Sequence, residues 1–503
     1  MWLAPQAQAV PVSVGSDMTL HIDGEHRFFY HYMNDIPLDN EGKTLGDPEW
    51  GNVRHRFRFS PSFRYGKVFG VYGQIDVGTF GSLYGINSKM GDSWFSPVRD
   101  QGEGLRIVDP RHLWVSWRSP IGEFRLGQMP SHWGMGMVAN NGQSQTGEFS
   151  SPRYGDIVER IIWLFPFVKP FTQSPIGNRL FLGAAFDVVF RDENAELVKG
   201  DLAFQGAFSL LYRQKDQIFA GVYVAVRRQQ DRDGRRIDAQ AFDFYLKLSG
   251  DFAQGKVGLD FQLEAAVLTG FTNRVRTELG QDGINLEGFG ALSRFAVRLP
   301  HIGLRIGVEV GLASGDNDTN DNTSRVFQFD PDYQPSLILF QRVLGAVSAH
   351  GSERVGDLTR VGFPPPGTDQ IPSWGQISNV FYIQPVIAFK PLVFAPKAKA
   401  HHSLELKVGL LYARTVADYA DGFATFRAGG VNITPFGRAS EGAHEMGLEL
   451  NLSLSYEYRP WKSLSIKVAL MYGRLFPGAA LSSEDGSINT TVDMVQTRLI
   501  TRF

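Results

Sequence analysis

The chain has 503 residues, with 50 Lys and Arg against 52 Asp and Glu and a formal net charge of −2. That balance gives no bulk attraction to nucleic acid, and the absence of cysteine excludes thiol catalysis, cysteine-ligated zinc and disulfides together. No apolar run reaches the ~18 residues a transmembrane helix needs, while 55 Gly and 13% aromatic residues read as all-β.

The chain opens "MWLAPQAQAVPVSV". Ala7-Gln8-Ala9 has the small-x-small form of a signal-peptidase site, without a basic n-region or full apolar h-region before it. Residues 1–16 are expected to be a signal-peptide remnant or a disordered start. From there, period-2 alternation recurs almost everywhere. It predicts strands at 17–34, 51–65, 67–79, 110–118, 122–129, 155–166, 178–191, 200–214, 216–229, 236–250, 255–270, 284–299, 302–314, 376–389, 402–416, 442–459, 462–476 and 491–503.

The connections sort into two kinds. Short turns such as "YGK", "SPIGE", "RQKDQ" and "RPWKS" follow even-numbered strands. Long polar connections follow odd-numbered ones, most clearly at 80–109, 130–154, 315–375, 417–441 and 477–490. Two even-numbered connections, 167–177 and 390–401, are longer than that rule expects. The sorting predicts an all-β fold. Residues 17–503 should form a single transmembrane antiparallel β-barrel of about 18 strands, with short periplasmic turns, long extracellular loops and both termini on the short-turn side.

The strand faces agree. In "MGLELNLSLSYEYRP" (446–460) the even positions Met446 to Tyr458 are apolar and expected to face lipid. Glu449, Asn451, Ser453 and Glu457 then line the interior. Strands of this length exceed the ~5–6 residues usual in soluble sheets. Trp114 and Trp117, Trp163 and Phe165, and Tyr456, Tyr458 and Trp461 suit interfacial girdles. Phe503 ends "VQTRLITRF", which resembles the C-terminal signal read by the barrel-assembly machinery.

A barrel this wide can leave an aqueous lumen. Arg54, Arg56, Arg58 and Arg64 share one strand face, and Arg118, Arg125 and Arg160 fall on the expected inner faces of the next strands. Later strands offer Asp243, Asp260, Glu264, Glu309, Glu405, Glu449 and Glu457, with Lys247, Lys256 and Lys407 between them. Two readings stand side by side: a transverse field that favours polar or anionic solutes near the arginines, or charges that pair along the wall and hold its shape. The Gly- and aromatic-rich loops 81–109 and 130–156 are candidates to fold inward or to cap the outside.

The segment "GLASGDNDTNDNTSRVFQFDPDY" (311–333) resembles alginate-export-type outer-membrane porins. "HWGMGMVANNG" (132–142) and "YGDIVERI" (154–161) resemble porin-like barrels of myxobacterial type. The first resemblance implies an eighteen-stranded channel that passes an anionic polysaccharide through an arginine-rich lumen. It makes Arg54, Arg56, Arg58, Arg125 and Arg160 candidate solute contacts.

Asp316, Asp318 and Asp321 are spaced carboxylates suited to a structural, extracellular Ca²⁺, although no bidentate Glu follows. No other cofactor is expected. No G-x-S-x-G or H-E-x-x-H occurs, and an enzyme is not expected. The expected function is a porin-like channel in a Gram-negative outer membrane, for diffusion or export of small polar or anionic solutes, saccharides included. The alternatives are a transporter of hydrophobic compounds and a structural or adhesive barrel. Expected partners are outer-membrane lipid and lipopolysaccharide, the assembly machinery and a small polar solute, with no nucleic acid.

Overall fold

A computed structural model describes residues 12–13, 17–45, 52–80, 106–143, 147–149, 155–172, 174–215, 217–274, 282–318, 321–361, 376–394, 401–461, 463–488 and 491–503. The long strands are β1 (Met18–Met33), β2 (Asn52–Tyr65), β3 (Phe69–Phe80), β4 (Arg106–Ser119), β5 (Gly122–Pro130) and β6 (Ile157–Phe165). Then come β7 (Leu180–Arg191), β8 (Leu202–Gln214), β9 (Ile218–Gln230), β10 (Arg236–Phe252), β11 (Val257–Thr272) and β12 (Ile284–Leu299). The last are β13 (Leu304–Ala313), β14 (Val380–Phe394), β15 (His401–Thr415), β16 (Glu445–Trp461), β17 (Leu464–Pro477) and β18 (Val492–Arg502).

Each strand pairs antiparallel with the next, and β1 pairs with β18 from Glu25↔Arg502 to Met33↔Met494. The result is a closed 18-stranded antiparallel barrel. Closure removes the sheet edges and satisfies the strand amides and carbonyls within the sheet, the condition for β-structure in hydrocarbon. The turns that join even strands to odd ones are short, for example Lys67 between β2 and β3. The longer 166–179 carries 3₁₀ turns at Lys169–Phe171 and Pro175–Asn178.

The alternation sets the two faces. On β10, Phe242 and Phe244 are 50% and 40% exposed, while Ala241, Asp243 and Tyr245 between them are buried inside. On β16, Leu452, Leu454 and Tyr456 are exposed, and Glu449 and Asn451 are fully buried. Met446 departs from its expected lipid-facing position. Gly447 takes φ 132° at a register shift between β15 and β16. The resulting bulge turns Met446 into the interior, where it is buried.

Trp117, Phe124, Trp163 and Phe165 stack in series on the outer face near the short turns. Trp114 does not belong to that girdle. It has the opposite parity to Trp117 and stacks on Tyr72 at 4.0 Å inside the barrel. At the β1–β18 seam, Phe503 exchanges backbone hydrogen bonds with Gly24. Its ring lies where a side chain at residue 24 would be, and stacks on Phe57.

Candidate functional site in the barrel lumen

The polar inner face is crossed by two connections that fold into the barrel. The first joins β5 to β6. Ser131 to Met137 are held against β10 and β11: the Trp133 indole donates to Asp243 at 2.9 Å, and the amides of Met135 and Met137 donate to Glu264. Farther on, the same loop reaches β13, β15 and β18. Glu148 is bound by Arg305 of β13 at 2.7 Å and Lys407 of β15 at 3.0 Å. Arg498 of β18 donates to the Phe149 carbonyl at 2.8 Å. Burial disfavours the Glu148 carboxylate, but Lys407 and Arg305 outweigh it and hold the group well below its usual range. The described parts of loop 131–156 are therefore tethered inside the barrel to β10 and β11 and again to β13, β15 and β18.

The second connection, 314–379, joins β13 to β14. Glu309 accepts from the Tyr333 hydroxyl at 2.8 Å and pairs with Arg294, and Gln384 donates to the Pro335 carbonyl at 3.1 Å. The chain then enters a π-turn at Leu339–Leu344 that continues as helix α1 (Gly345–Gly356). Glu449 accepts from the amides of Leu337, Ile338 and Leu339 at 2.8, 2.9 and 2.8 Å. A helix start leaves such amides unpaired and its dipole favours an anion there. A wall carboxylate thus caps a helix that hangs inside the barrel. Farther along α1, His350 and Arg354 bind Asp39, and Arg354 also binds Asp421, the N-cap of the short helix α2 (Gly422–Arg427).

The loops also grip each other. The Asp330 amide donates to the Met137 carbonyl at 2.7 Å, and the Gly155 amide donates to Asp332 at 2.6 Å. Close approach needs bare wall: a Cβ at Gly409 would meet the Phe149 ring, and one at Gly473 would meet Ile338. Beside the crossing, a cavity of about 360 Å³ remains, lined among others by Val138, Tyr223, Leu268 and Phe327.

The sequence-derived wall residues fall into pairs. Arg27, Arg56 and Arg502 share Glu25, and Arg58 and Arg111 share Asp76, the former bidentately at 2.6 and 2.7 Å. Arg191 joins Asp109 at 3.1 Å. Among the described residues of this arc, six arginines meet Glu25, Asp76 and Asp109. Arg160 holds Asp187 at 2.6 and 2.7 Å. Arg118 and Arg125 both meet Glu123 near the short-turn rim, where Arg125 lies over Trp114 and Arg64 over Tyr72. Asp260 binds Arg298 and Ser249, and Glu405 lies 3.6 Å from Lys390. The Arg54 side chain lies outside the described residues, as does most of loop 81–109.

Sequence reasoning named Glu264, Glu309 and Glu449 as wall residues but not their partners on the loops. It missed connection 314–379 as a lumen element. The signal was the apolar run "LILFQRVLGAV" (337–347) inside a connection expected to be polar. In the acidic loop, Arg325 lies 3.5 Å from Asp316 and 2.7 Å from Asp321, and the Asp318 amide donates to Asp316.

A closed 18-stranded barrel with a polar interior and inward loops is the architecture of outer-membrane porin barrels. Among solved structures, OccAB1 of Acinetobacter baumannii aligns over 99% of this chain and 99% of its own, with a TM-score of 0.51 and 10% identity. OpdL of Pseudomonas aeruginosa aligns over 97% and 99%, with a TM-score of 0.49 and 11% identity. At such identities the likeness is one of fold. No family model matches the chain, and no curated protein matches it. The likeness supports the 18-stranded barrel fold, and it gives no support to the alginate-export or myxobacterial types that short segments resemble.

Proposed function

We propose that the protein is an outer-membrane channel for small polar solutes, with a preference for anionic ones, acting by diffusion through a lumen narrowed by loops 131–156 and 314–379. The observation that supports it best is the tethered crossing itself. The loops are bound to the inner wall by buried carboxylates and arginines, and about 360 Å³ of open cavity stands beside them. A structural or adhesive barrel has no need to thread and anchor two loops through its interior.

The arginine-rich arc of β1–β4, β7 and β18 stands apart from β10, β11 and β16, where Asp243, Glu264 and Glu449 bind N–H groups of the lumen loops. Such segregation favours a transverse field in a narrow, low-dielectric passage. The resemblance to OccAB1 and OpdL is consistent with a channel. The outer apolar face suits lipid and lipopolysaccharide, and Phe503 suits recognition by assembly machinery. A transporter of hydrophobic compounds would need a lateral opening, and the strand ladder is continuous around the described barrel.

Reversal potentials in a salt gradient across planar bilayers test the selectivity. Replacing Arg27 and Arg56 together by Gln leaves Glu25 still paired to Arg502 and should move the reversal potential toward cation preference. An unchanged potential would remove these arginines from the selectivity account.

A further inference from the structure

The geometry points to a second feature of the lumen, independent of whether the barrel conducts: a site for a hard divalent cation, Ca²⁺ foremost, built by Asp156, Glu193 and Asp330. These residues come from three connections: 131–156, the 192–201 turn after β7, and 314–379. Each brings a carboxylate oxygen within 4.8 Å of the others. Opposite oxygens around a bound Ca²⁺ lie about 4.6–5.2 Å apart, given Ca–O distances of about 2.3–2.6 Å. All three residues line the 360 Å³ cavity, which leaves room for a cation and its waters.

Two further observations ask for a positive ligand. Asp330 is 4% exposed, and its Oδ2 accepts no hydrogen bond, while Oδ1 takes only the Asp332 amide at 2.7 Å. Gln376, 6% exposed and lining the same cavity, leaves its Oε1 without a donor. Buried acceptors without donors are uncommon and costly. Asp156 accepts from the Asn140 amide at 3.1 Å, and Glu193 from Asn194 at 2.6 Å. Arg227 and Arg274 line the same cavity and ion-pair with Asp192 and Asp231, and Arg160 ion-pairs with Asp187; Arg227 also acts through space on Glu193 and Asp156. Burial, then repulsion from neighbouring carboxylates, pushes Asp156 and Asp330 well above the usual carboxylate range. A divalent cation relieves that repulsion, and it stitches both lumen loops to the outer turn after β7.

The test uses the full-length folded barrel in detergent, stripped with EDTA and checked for heat-modifiable migration. Equilibrium dialysis against ⁴⁵Ca²⁺ at pH 7.5 should give one equivalent per chain, with a Kd of about 1 mM or tighter. Asp330→Asn and Asp156→Asn should each weaken binding at least tenfold, and Asp316→Asn should not. Affinity should fall as pH is lowered. No binding by the wild type, or binding lost in Asp316→Asn but kept in Asp330→Asn, would overturn the assignment. Absence of binding by the wild type overturns the assignment even if a variant misfolds, and Asp330→Asn and Asp156→Asn serve as independent tests of location.

Discussion

Glu449 takes three backbone amides at once, from Leu337, Ile338 and Leu339, in a spot with no solvent access. Hydrogen bonds to a charged acceptor contribute about 1.5–3 kcal/mol each, and an orphaned buried donor costs about 1–3 kcal/mol. Glu449→Ala should therefore destabilise the start of the π-turn that leads into α1 by about 3 kcal/mol or more, even if part of the cavity admits water. At about 1.4 kcal/mol per tenfold, hydrogen exchange at Leu337–Leu339 should accelerate at least a hundredfold, with the barrel strands unchanged. Unaltered exchange at those amides would show that the carboxylate is not what holds the loop. Glu264 plays the corresponding part for Met135 and Met137. Both residues could be read from the sequence as inward wall carboxylates, because strand parity fixes direction. Their partners could not, since a backbone amide carries no mark in the sequence of what it will bind.

Loop 131–156 is an element with two anchorages of different chemistry. Its far end hangs on Glu148, bound by Arg305 and Lys407. Because the Glu148 carboxyl is held below its usual range, its contribution is present above the unfolded value of about 4.3 and is lost as pH falls through the lower folded value. Protection of the loop around Gly147–Phe149 should persist at pH 5 and collapse only in stronger acid. Hydrogen exchange followed from pH 7 down to pH 3 checks this; loss already at pH 6 would contradict it.

The strands were legible in advance for a plain reason. Lipid on one side and polar interior on the other impose a period of 2 over more than ten residues, and the sorted loop lengths fix which end is which. The exceptions are local. Gly447 with its positive φ inserts a bulge that flips Met446, and Trp114 stands one parity step from Trp117, so grouping the two by type misassigned one. The inward course of 314–379 was not legible because alternation says nothing about where a connection goes after it leaves the wall. Only its apolar run (337–347) hinted at burial.

At the scale of the whole molecule, the barrel and its loops form one arrangement: an inside-out sheet whose lumen holds chain pinned to several strands of its wall. The wall ion pairs hold shape. Under the proposed function the arginines of β1–β4 also set the sign of the field, so the two readings of the lumen charges are compatible. We propose that the tethered loops, and not the wall itself, set the width of the passage. The measurement to make is the single-channel conductance of purified wild type and of a Glu264→Gln/Glu449→Gln variant, in the same planar bilayers and salt. Discrete openings are expected for the wild type, and a larger or noisier conductance for the variant. A wild type that never conducts, or a variant indistinguishable from it while its loop amides exchange freely, would contradict it.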